Sequence, residues 1–386
     1  MPFDEDDRIA RPIGVGRPSG RLLGMRQILT ILLILALGSV LGTGAYFLST
    51  LDLDQIIGLM DVSDHGPRLV LRLPPPSQQG ATGPAGAEVR HAPAPPPPKL
   101  VAIPAMPQAD LGEKAPSYTA LPAVPSAAPL VAAPIKAVSE TTPAGVLPQI
   151  GPNGQIPWRV YARPFAIKPN RKLVAIVVTG LGLDRTATEA AIYRLPADVT
   201  LAFDPYSRDL VHWAAKARKA GHEILVDLPM SGGGVRDPGA LGLRTDLPEG
   251  VDNRRLRAVL ARVPGAIGVL APESAFTGSA QGAMVQKVLA KRGLIYVGNG
   301  ALVQGAAPVV PVAEIVGHDL WKGAIAARLA NTAALAKSYG GATVVVQPSP
   351  IALDQLAAWL RELSSQGITP APVSALVASG SKKEKP

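Results

Sequence analysis

The sequence contains no cysteine and few aromatic residues, since Phe, Trp and Tyr together make up 4% of its 386 residues. Without cysteine the chain can form no disulfide bond, no thiolate metal site and no cysteine nucleophile, and its redox compartment stays undetermined. The formal net charge of +9 suits an anionic partner. However, the basic residues are scattered, and few rings are present on which bases could stack. The composition therefore predicts a basic surface and no nucleic-acid partner.

Residues 28–48, ILTILLILALGSVLGTGAYFL, contain no charged residue. An uncharged apolar segment of this length crosses a membrane as a helix, whereas a cleaved signal peptide has a shorter apolar core and a small-residue exit site. Three arginines and no acid lie in residues 17–27, and four aspartates follow by residue 64. The positive-inside rule then predicts an inner-membrane protein with a cytoplasmic tail at residues 1–27 and a periplasmic remainder.

Two glycines in this segment, Gly38 and Gly42, have the spacing that lets membrane helices approach closely. They predict a homodimer in which the two membrane helices meet at these glycines. The alternative is that both are simply small residues of the kind common in membrane helices.

Residues 49–170 are rich in proline and alanine and show no helical or strand periodicity. Proline removes backbone donors and favours extended polyproline geometry, and such a segment buries too little apolar surface to offset the entropy of ordering. We expect a disordered periplasmic linker here.

The pattern changes at residue 171, where short apolar runs begin to alternate with helical patterns. The runs are LVAIVV, VTLAF, EILVDL, AIGVL, LIYVG, VVPVAEIV, ATVVVQ and ITPAPV. Alternation at this spacing indicates βα units around a parallel sheet, and seven or eight units in about 205 residues suit a closed or nearly closed barrel. The sequence therefore predicts an α/β domain at residues 171–376, a distorted (β/α)7–8 barrel, followed by a basic tail at residues 377–386.

Active sites of such barrels lie at the carboxyl ends of the strands. The acids there are Asp204, Asp227 and Glu273, and they are the candidate catalytic residues. Asp204 and Asp227 are also candidates to hold a hard cation, although single acids at strand ends are common as capping groups.

Other chemistries have little support. The domain's histidines, His212, His222 and His318, lack the spacing of a zinc site, and no serine stands in a nucleophile elbow. His222 and Glu223 precede a strand, on the face of a barrel associated with stability, so we expect a structural role for this pair.

The fragments of residues 172–376, taken in order, resemble the divergent polysaccharide deacetylases of the Gram-negative periplasm. They include VAIVVTGLGLD, YRLPADVTLAFDPYS, AGHEILVDLPM, DPGALGL, VPGAIGVLAPESAFTG, KRGLIYVGN and ATVVVQPSPIALDQL. The resemblance implies the distorted barrel of the glycoside hydrolase/deacetylase type. It also implies a divalent metal and an acid–base pair that remove acetyl groups from amino sugars.

The sequence departs from the family at the positions where the resemblance places metal and protons. Thr179 and Gly180 replace two aspartates, and residues 270–275 replace a ligand loop but contain no histidine. Gly298-Asn299 replaces Asp-Ser, and Gln347 replaces a histidine. Thr, Gly, Asn and Gln carry no charge but form hydrogen bonds. Thr179, Gly180, Asn299 and Gln347 are therefore the predicted substrate-binding residues, with no metal ligands and no cofactor.

Three hypotheses follow. The first is a catalytically degenerate module that binds peptidoglycan or another amino-sugar glycan. The second is a metal-dependent deacetylase with rearranged acids (Asp204, Asp227, Glu273), which would need a divalent metal. The third is a non-enzymatic scaffold of the cell envelope.

Overall fold

The computed structural model describes residues 98–104, 115–231, 237–271, 276–300, 303–317 and 320–383. The predicted membrane helix at residues 28–48, with its two glycines, and the candidate Glu273 lie outside these ranges. Within them, no helix is both long enough and apolar enough to span a bilayer.

The described residues form strands and helices whose bounds are as follows. The strands are β1 (Ser139–Thr142), β2 (Gly145–Pro148), β3 (Lys172–Leu181), β4 (Thr200–Phe203), β5 (Ile224–Asp227), β6 (Gly268–Leu270), β7 (Ile295–Val297), β8 (Val309–Val310), β9 (Glu314–Val316), β10 (Gly341–Val346) and β11 (Ile368–Ala371). The helices are α1 (Pro157–Tyr161), α2 (Arg185–Arg194), α3 (Leu210–Lys219), α4 (Glu249–Ala261), α5 (Ala280–Lys291), α6 (Lys322–Tyr339), α7 (Pro350–Glu362) and α8 (Val373–Lys383).

Strands β3 to β11 form one parallel sheet with the order β8-β7-β6-β5-β4-β3-β10-β9, and β11 pairs with the start of β3. The two edge strands, β8 and β9, are consecutive in the chain and only residues 311–313 separate them. Three residues span little more than 10 Å, so the edges of the sheet lie close together and the sheet is curled. The predicted α/β barrel is confirmed in this incompletely closed form.

The run VVPVAEIV was expected to form one strand, but the structure divides it at Pro311. Val309 and Val310 pair with β7, whereas Glu314 to Val316 pair with β10. Proline has no N–H to donate to a ladder, and the chain changes strand partners at this point.

The strands are apolar throughout because both of their faces are buried. In β3, Val174, Ile176 and Val178 pack in the cluster that contains side chains of α2 to α7, whereas Ala175 and Val177 point into a second cluster inside the barrel. Successive side chains on a strand alternate between faces, so a strand buried on both sides shows no polar alternation.

The second half of the expected linker is folded onto the barrel. Residues 139–148 form a β1–β2 hairpin, and the side chains of Val138, Trp158 and Tyr161 are buried in the cluster inside the barrel. The Trp158 N–H donates to the Gly293 carbonyl just before β7 (3.0 Å), so α1 lies at the amino end of the strands. Only a few apolar side chains of this segment fill the amino end of the barrel. They do not alter its composition, which proline and alanine dominate.

Arg218 of α3 holds this segment in place. Its guanidinium donates to the carbonyl oxygens of Val131 (2.8 and 3.0 Å), Tyr161 (3.2 Å) and Gly265 (3.1 Å). Its carbonyl accepts a hydrogen bond from Leu130 N–H at 2.9 Å. We call residues 115–161 the strap, because they run along the barrel and are joined to it by these contacts.

His222 and Glu223 are buried at the start of β5. The two ring nitrogens of His222 lie 2.8 and 3.0 Å from the carbonyl oxygens of Val199 and Ile192. The Glu223 carboxylate accepts hydrogen bonds from Arg163 N–H (2.8 Å) and from Ser374. These contacts tie the strand to its neighbours and agree with the expected structural role.

Candidate functional site at the carboxyl ends of the strands

Asp227, the last residue of β5, is the centre of the candidate site. Its Oδ1 accepts a hydrogen bond from the Thr179 hydroxyl (2.8 Å), and its Oδ2 accepts one from the Gly180 N–H (2.8 Å). Thr179 and Gly180 were predicted to bind substrate. The structure shows that both donate to one carboxylate, although β4 lies between their strand and β5.

The backbone conformation at Gly180 allows its N–H to reach the Asp227 carboxylate. The register between β3 and β4 shifts between Val178 and Leu181, and Gly180 has a φ of +69°. Glycine adopts this left-handed conformation at no steric cost. The irregularity turns the Gly180 N–H towards Asp227 instead of into the ladder with β4.

Burial raises the pKa of Asp227 to about 6. The hydrogen bonds from Gly180 and Thr179 oppose this shift because they stabilise the charged form, and the nearby Asp204 reinforces it. The candidate site therefore contains a carboxyl group that titrates near neutral pH.

Asp204 follows β4, next to Asp227 in the curled sheet. Its Oδ1 accepts a hydrogen bond from Tyr206 N–H (2.7 Å), and burial raises its pKa. The carboxylate thus fixes the turn after β4, in the manner of an Asx turn.

The remaining predicted residues are placed differently. Asn299 donates to the Val312 carbonyl (2.9 Å) and accepts from the Val312 N–H (3.0 Å), so its amide fastens the segment between β8 and β9 to the end of β7. Gln347 follows β10 and donates its N–H to the Val316 carbonyl (2.9 Å). The structure thus brings Thr179, Gly180, Asp204 and Asp227 together, and it uses the Asn299 amide to join neighbouring parts of the sheet.

A family model described as divergent polysaccharide deacetylase matches residues 176–377, just over half of the chain. The chain belongs to this family. Among solved structures, it is similar to an uncharacterized protein from Agrobacterium tumefaciens C58, with a TM-score of 0.56 and 30% sequence identity. That similarity covers 60% of this chain and 99% of the other. No curated protein matches the chain. The resemblance seen in the sequence is confirmed, and the curled α/β barrel is consistent with the deacetylase fold.

Among the residues that the structure describes, the donors at the strand ends do not suit the divalent metal that the resemblance implies. Both oxygens of Asp227 already accept hydrogen bonds from the residues that stand where the resemblance places two further acids. Within the described ranges, no three His, Cys, Asp or Glu side chains come close enough together to hold a metal ion. We therefore derive no reaction step through a metal.

Gly298 gives a second, steric reason for this mismatch. The resemblance places an aspartate here, but a Cβ atom at this position would lie 1.9 Å from the carbonyl oxygen of Ala271. The backbone at Ala271, directly after β6, would have to move before any side chain could be accommodated. Restoring an acid at residue 298 is therefore blocked by packing.

Tyr206 is the residue of this site that the sequence predictions missed. Its hydroxyl donates to the Pro238 carbonyl (2.7 Å) and accepts from the Leu241 N–H (2.8 Å). The signal was present in the sequence, because Pro205-Tyr206 and Pro238-Gly239 are both among the family-like fragments. Nothing in the sequence indicated that the two fragments touch.

We expect Gly180→Ala to destabilise the protein by about 1 kcal/mol, because an L-residue pays to adopt positive φ even in open space. A Cβ at Gly180 would meet no atom within 4 Å, so the cost is conformational. Urea denaturation measures the effect. Gly278→Ala is the matched control, since its Cβ also meets open space and its φ is not positive. Equal losses in the two variants would contradict the explanation.

Proposed function

We propose that this protein is anchored in the inner membrane and binds an amino-sugar polymer of the cell envelope at the carboxyl ends of its barrel strands, without removing acetyl groups. The observation that carries this proposal is the hydrogen-bonded group of Asp227, Thr179 and Gly180. Family membership supports a carbohydrate ligand. The donor set argues against hydrolysis through a metal, because the residues that replace two acids hold the Asp227 carboxylate by hydrogen bonds.

The chemistry of the group suits a sugar. A carboxylate that accepts two hydrogen bonds has lone pairs left for a sugar hydroxyl or an amide N–H, and hydrogen bonds to a charged acceptor are the stronger kind. Asp227 is partly exposed, whereas Val226 before it is fully buried. The end of β5 is therefore open to solvent at Asp227.

Membrane anchoring and a periplasmic location are supported by the uncharged segment at residues 28–48 and the charges that flank it. The predicted helix pairing through Gly38 and Gly42 belongs to the same part of the proposal.

A second candidate function is a hydrolase that uses rearranged acids. The raised pKa of Asp227, about 6, favours it, because a general acid or base is most effective when its pKa lies near the working pH. In this candidate Asp227 would exchange a proton with the attacking water, and burial, reinforced by Asp204, would keep the pKa of Asp227 high.

One experiment separates these functions. The full-length chain in detergent micelles is incubated with peptidoglycan and with N-acetylglucosamine oligomers, with and without Zn²⁺, Mn²⁺ or Co²⁺, and both retention and released acetate are measured. We expect retention that Asp227→Asn weakens, and no acetate above the level of that variant. Asp354→Asn, which changes an exposed carboxylate of α7, is the control and should bind like the natural protein.

Two results would contradict the proposal. Acetate release that requires Asp227 would establish the hydrolase. Absence of retention on every glycan would favour the envelope scaffold, in which the domain carries no ligand at this site.

A further inference from the structure

The segment 237–243 returns to the candidate site after the chain has left β5. Leu243 N–H donates to the Pro229 carbonyl (2.9 Å), and the Leu243 carbonyl accepts from Ser231 N–H (2.9 Å). Pro229 lies two residues after Asp227, so the returning chain is fastened close to the carboxylate. Arg255 of α4 also donates to the Gly242 carbonyl. We call residues 237–243 the return segment.

Tyr206 fastens the other end of the return segment to β4. Its hydroxyl is bonded on both sides, to the Pro238 carbonyl and to the Leu241 N–H. Gly239 between these residues has a φ of +80°, and a Cβ there would lie 2.7 Å from the Tyr206 hydroxyl oxygen. Glycine is therefore required where the ring crosses the segment.

The same tyrosine is also held from its own backbone. Its N–H donates to Asp204, whose carboxylate lies near Asp227 and raises the pKa of that residue. Tyr206 is thus held at two points, by its backbone N–H and by its side-chain hydroxyl. Nevertheless, 41% of the Tyr206 surface is exposed.

An exposed aromatic ring that two hydrogen bonds hold still has the properties of a sugar-binding surface. The carbon-bound hydrogens of a pyranose form an apolar face, which packs on an aromatic ring by dispersion. A ring that is already ordered loses little conformational entropy when a ligand binds. The only proton of the Tyr206 hydroxyl is already donated within the protein, so the ring face is the main surface that it can offer a ligand.

We infer that Tyr206 is a glycan-contacting residue, a platform on which one sugar ring stacks while a neighbouring sugar is hydrogen-bonded at Asp227. This inference rests on the proposed function. It assigns Asp204 the role of a positioning residue, which acts through Tyr206 and not through a metal.

Three variants of the full-length chain test the inference, with dissociation constants for N-acetylglucosamine oligomers measured by titration calorimetry in detergent micelles. Tyr206→Leu removes the ring and should weaken binding about tenfold or more, as truncation of a central aromatic contact does. Tyr206→Phe keeps the ring and loses both hydroxyl bonds, so it should bind within about threefold of the natural protein. Tyr193→Leu is the matched control, because Tyr193 is 51% exposed but lies on α2 in a separate groove with Lys216 and Lys219. It should bind unchanged.

Hydrogen exchange at the Leu241 amide reports separately on the hydrogen bond between this amide and the Tyr206 hydroxyl. It should become faster in both Tyr206 variants and stay slow in Tyr193→Leu. If Tyr206→Phe weakens binding as much as Tyr206→Leu, the residue acts through the return segment only, and the platform is refuted. If Tyr206→Leu binds like the natural protein, the inference fails while the proposed function stands. If the natural protein binds no oligomer, both fail together.

Discussion

Replacing Asp227 with asparagine is expected to stabilise the protein by about 3 kcal/mol at pH 8 and to leave its stability unchanged below pH 4. The reason is the raised pKa of the carboxyl group, about 6 in the folded protein against 3.8 in the ordinary group. Between these values the folded chain binds more protons than the unfolded chain, so stability falls as pH rises. Above pH 6 the folded protein carries the full cost of an ionised, largely desolvated carboxylate. Asparagine has nearly the same shape and no charge; its oxygen can accept from the Gly180 N–H, and its NH2 can donate to the Thr179 hydroxyl oxygen.

Urea denaturation of Asp227→Asn and of the natural protein at pH 4, 6 and 8 measures this effect. The difference in the free energy of unfolding should grow with pH through this window. Asp354→Asn serves again as the control, because Asp354 is exposed on α7. A difference that is the same at all three pH values would show that Asp227 is not the titrating group. The same variant weakens glycan binding under the proposed function, so stability and binding should change in opposite directions.

The second large effect is expected at Arg218. Arg218→Met should destabilise the protein by about 3 kcal/mol, because it leaves the carbonyl oxygens of Val131, Tyr161 and Gly265 without their donor. Burial lowers the pKa of Arg218 to about 10, so the guanidinium is still charged at neutral pH. Methionine keeps much of the apolar volume of the side chain. The loss therefore reports on the guanidinium: its hydrogen bonds, its position over the Tyr161 ring and its attraction to the buried Glu223.

Two measurements check this prediction. Urea denaturation gives the loss of stability, and limited proteolysis should cut within the strap near residues 121–135 faster than in the natural protein. Lys219→Met on the same helix is the control, because Lys219 is exposed and surface substitutions cost within about 0.5 kcal/mol. A loss below about 1 kcal/mol with unchanged proteolysis would show that other strap contacts are sufficient.

The strap also determines where a truncated form of the domain should begin. A fragment that begins at residue 171 lacks Val138, Trp158 and Tyr161, which fill the amino end of the barrel. It exposes the inner cluster to water, which costs free energy in proportion to the apolar area. Truncation experiments should therefore keep residues 115–170.

Several features follow from the sequence alone. The alternation of apolar runs with helical patterns determines a parallel sheet, because only strands buried on both faces read as continuous Val and Ile, as in VAIVV. The order of the family-like fragments determines the fold type and the family. The position of Asp227 at a strand end follows as well, since the apolar run stops there.

Other features were decided by tertiary structure. Thr179 and Asp227 are 48 residues apart and belong to strands that are not neighbours. Only the curl of the sheet brings them within 2.8 Å, and no periodicity records that distance. The contact between the Tyr206 hydroxyl and the return segment is likewise a tertiary feature. The strap is a third case, because a few large side chains in a proline-rich stretch fill a cavity that exists only after the barrel has formed. Local patterns record which face of an element is apolar, but they do not record which distant groups the closed sheet brings together.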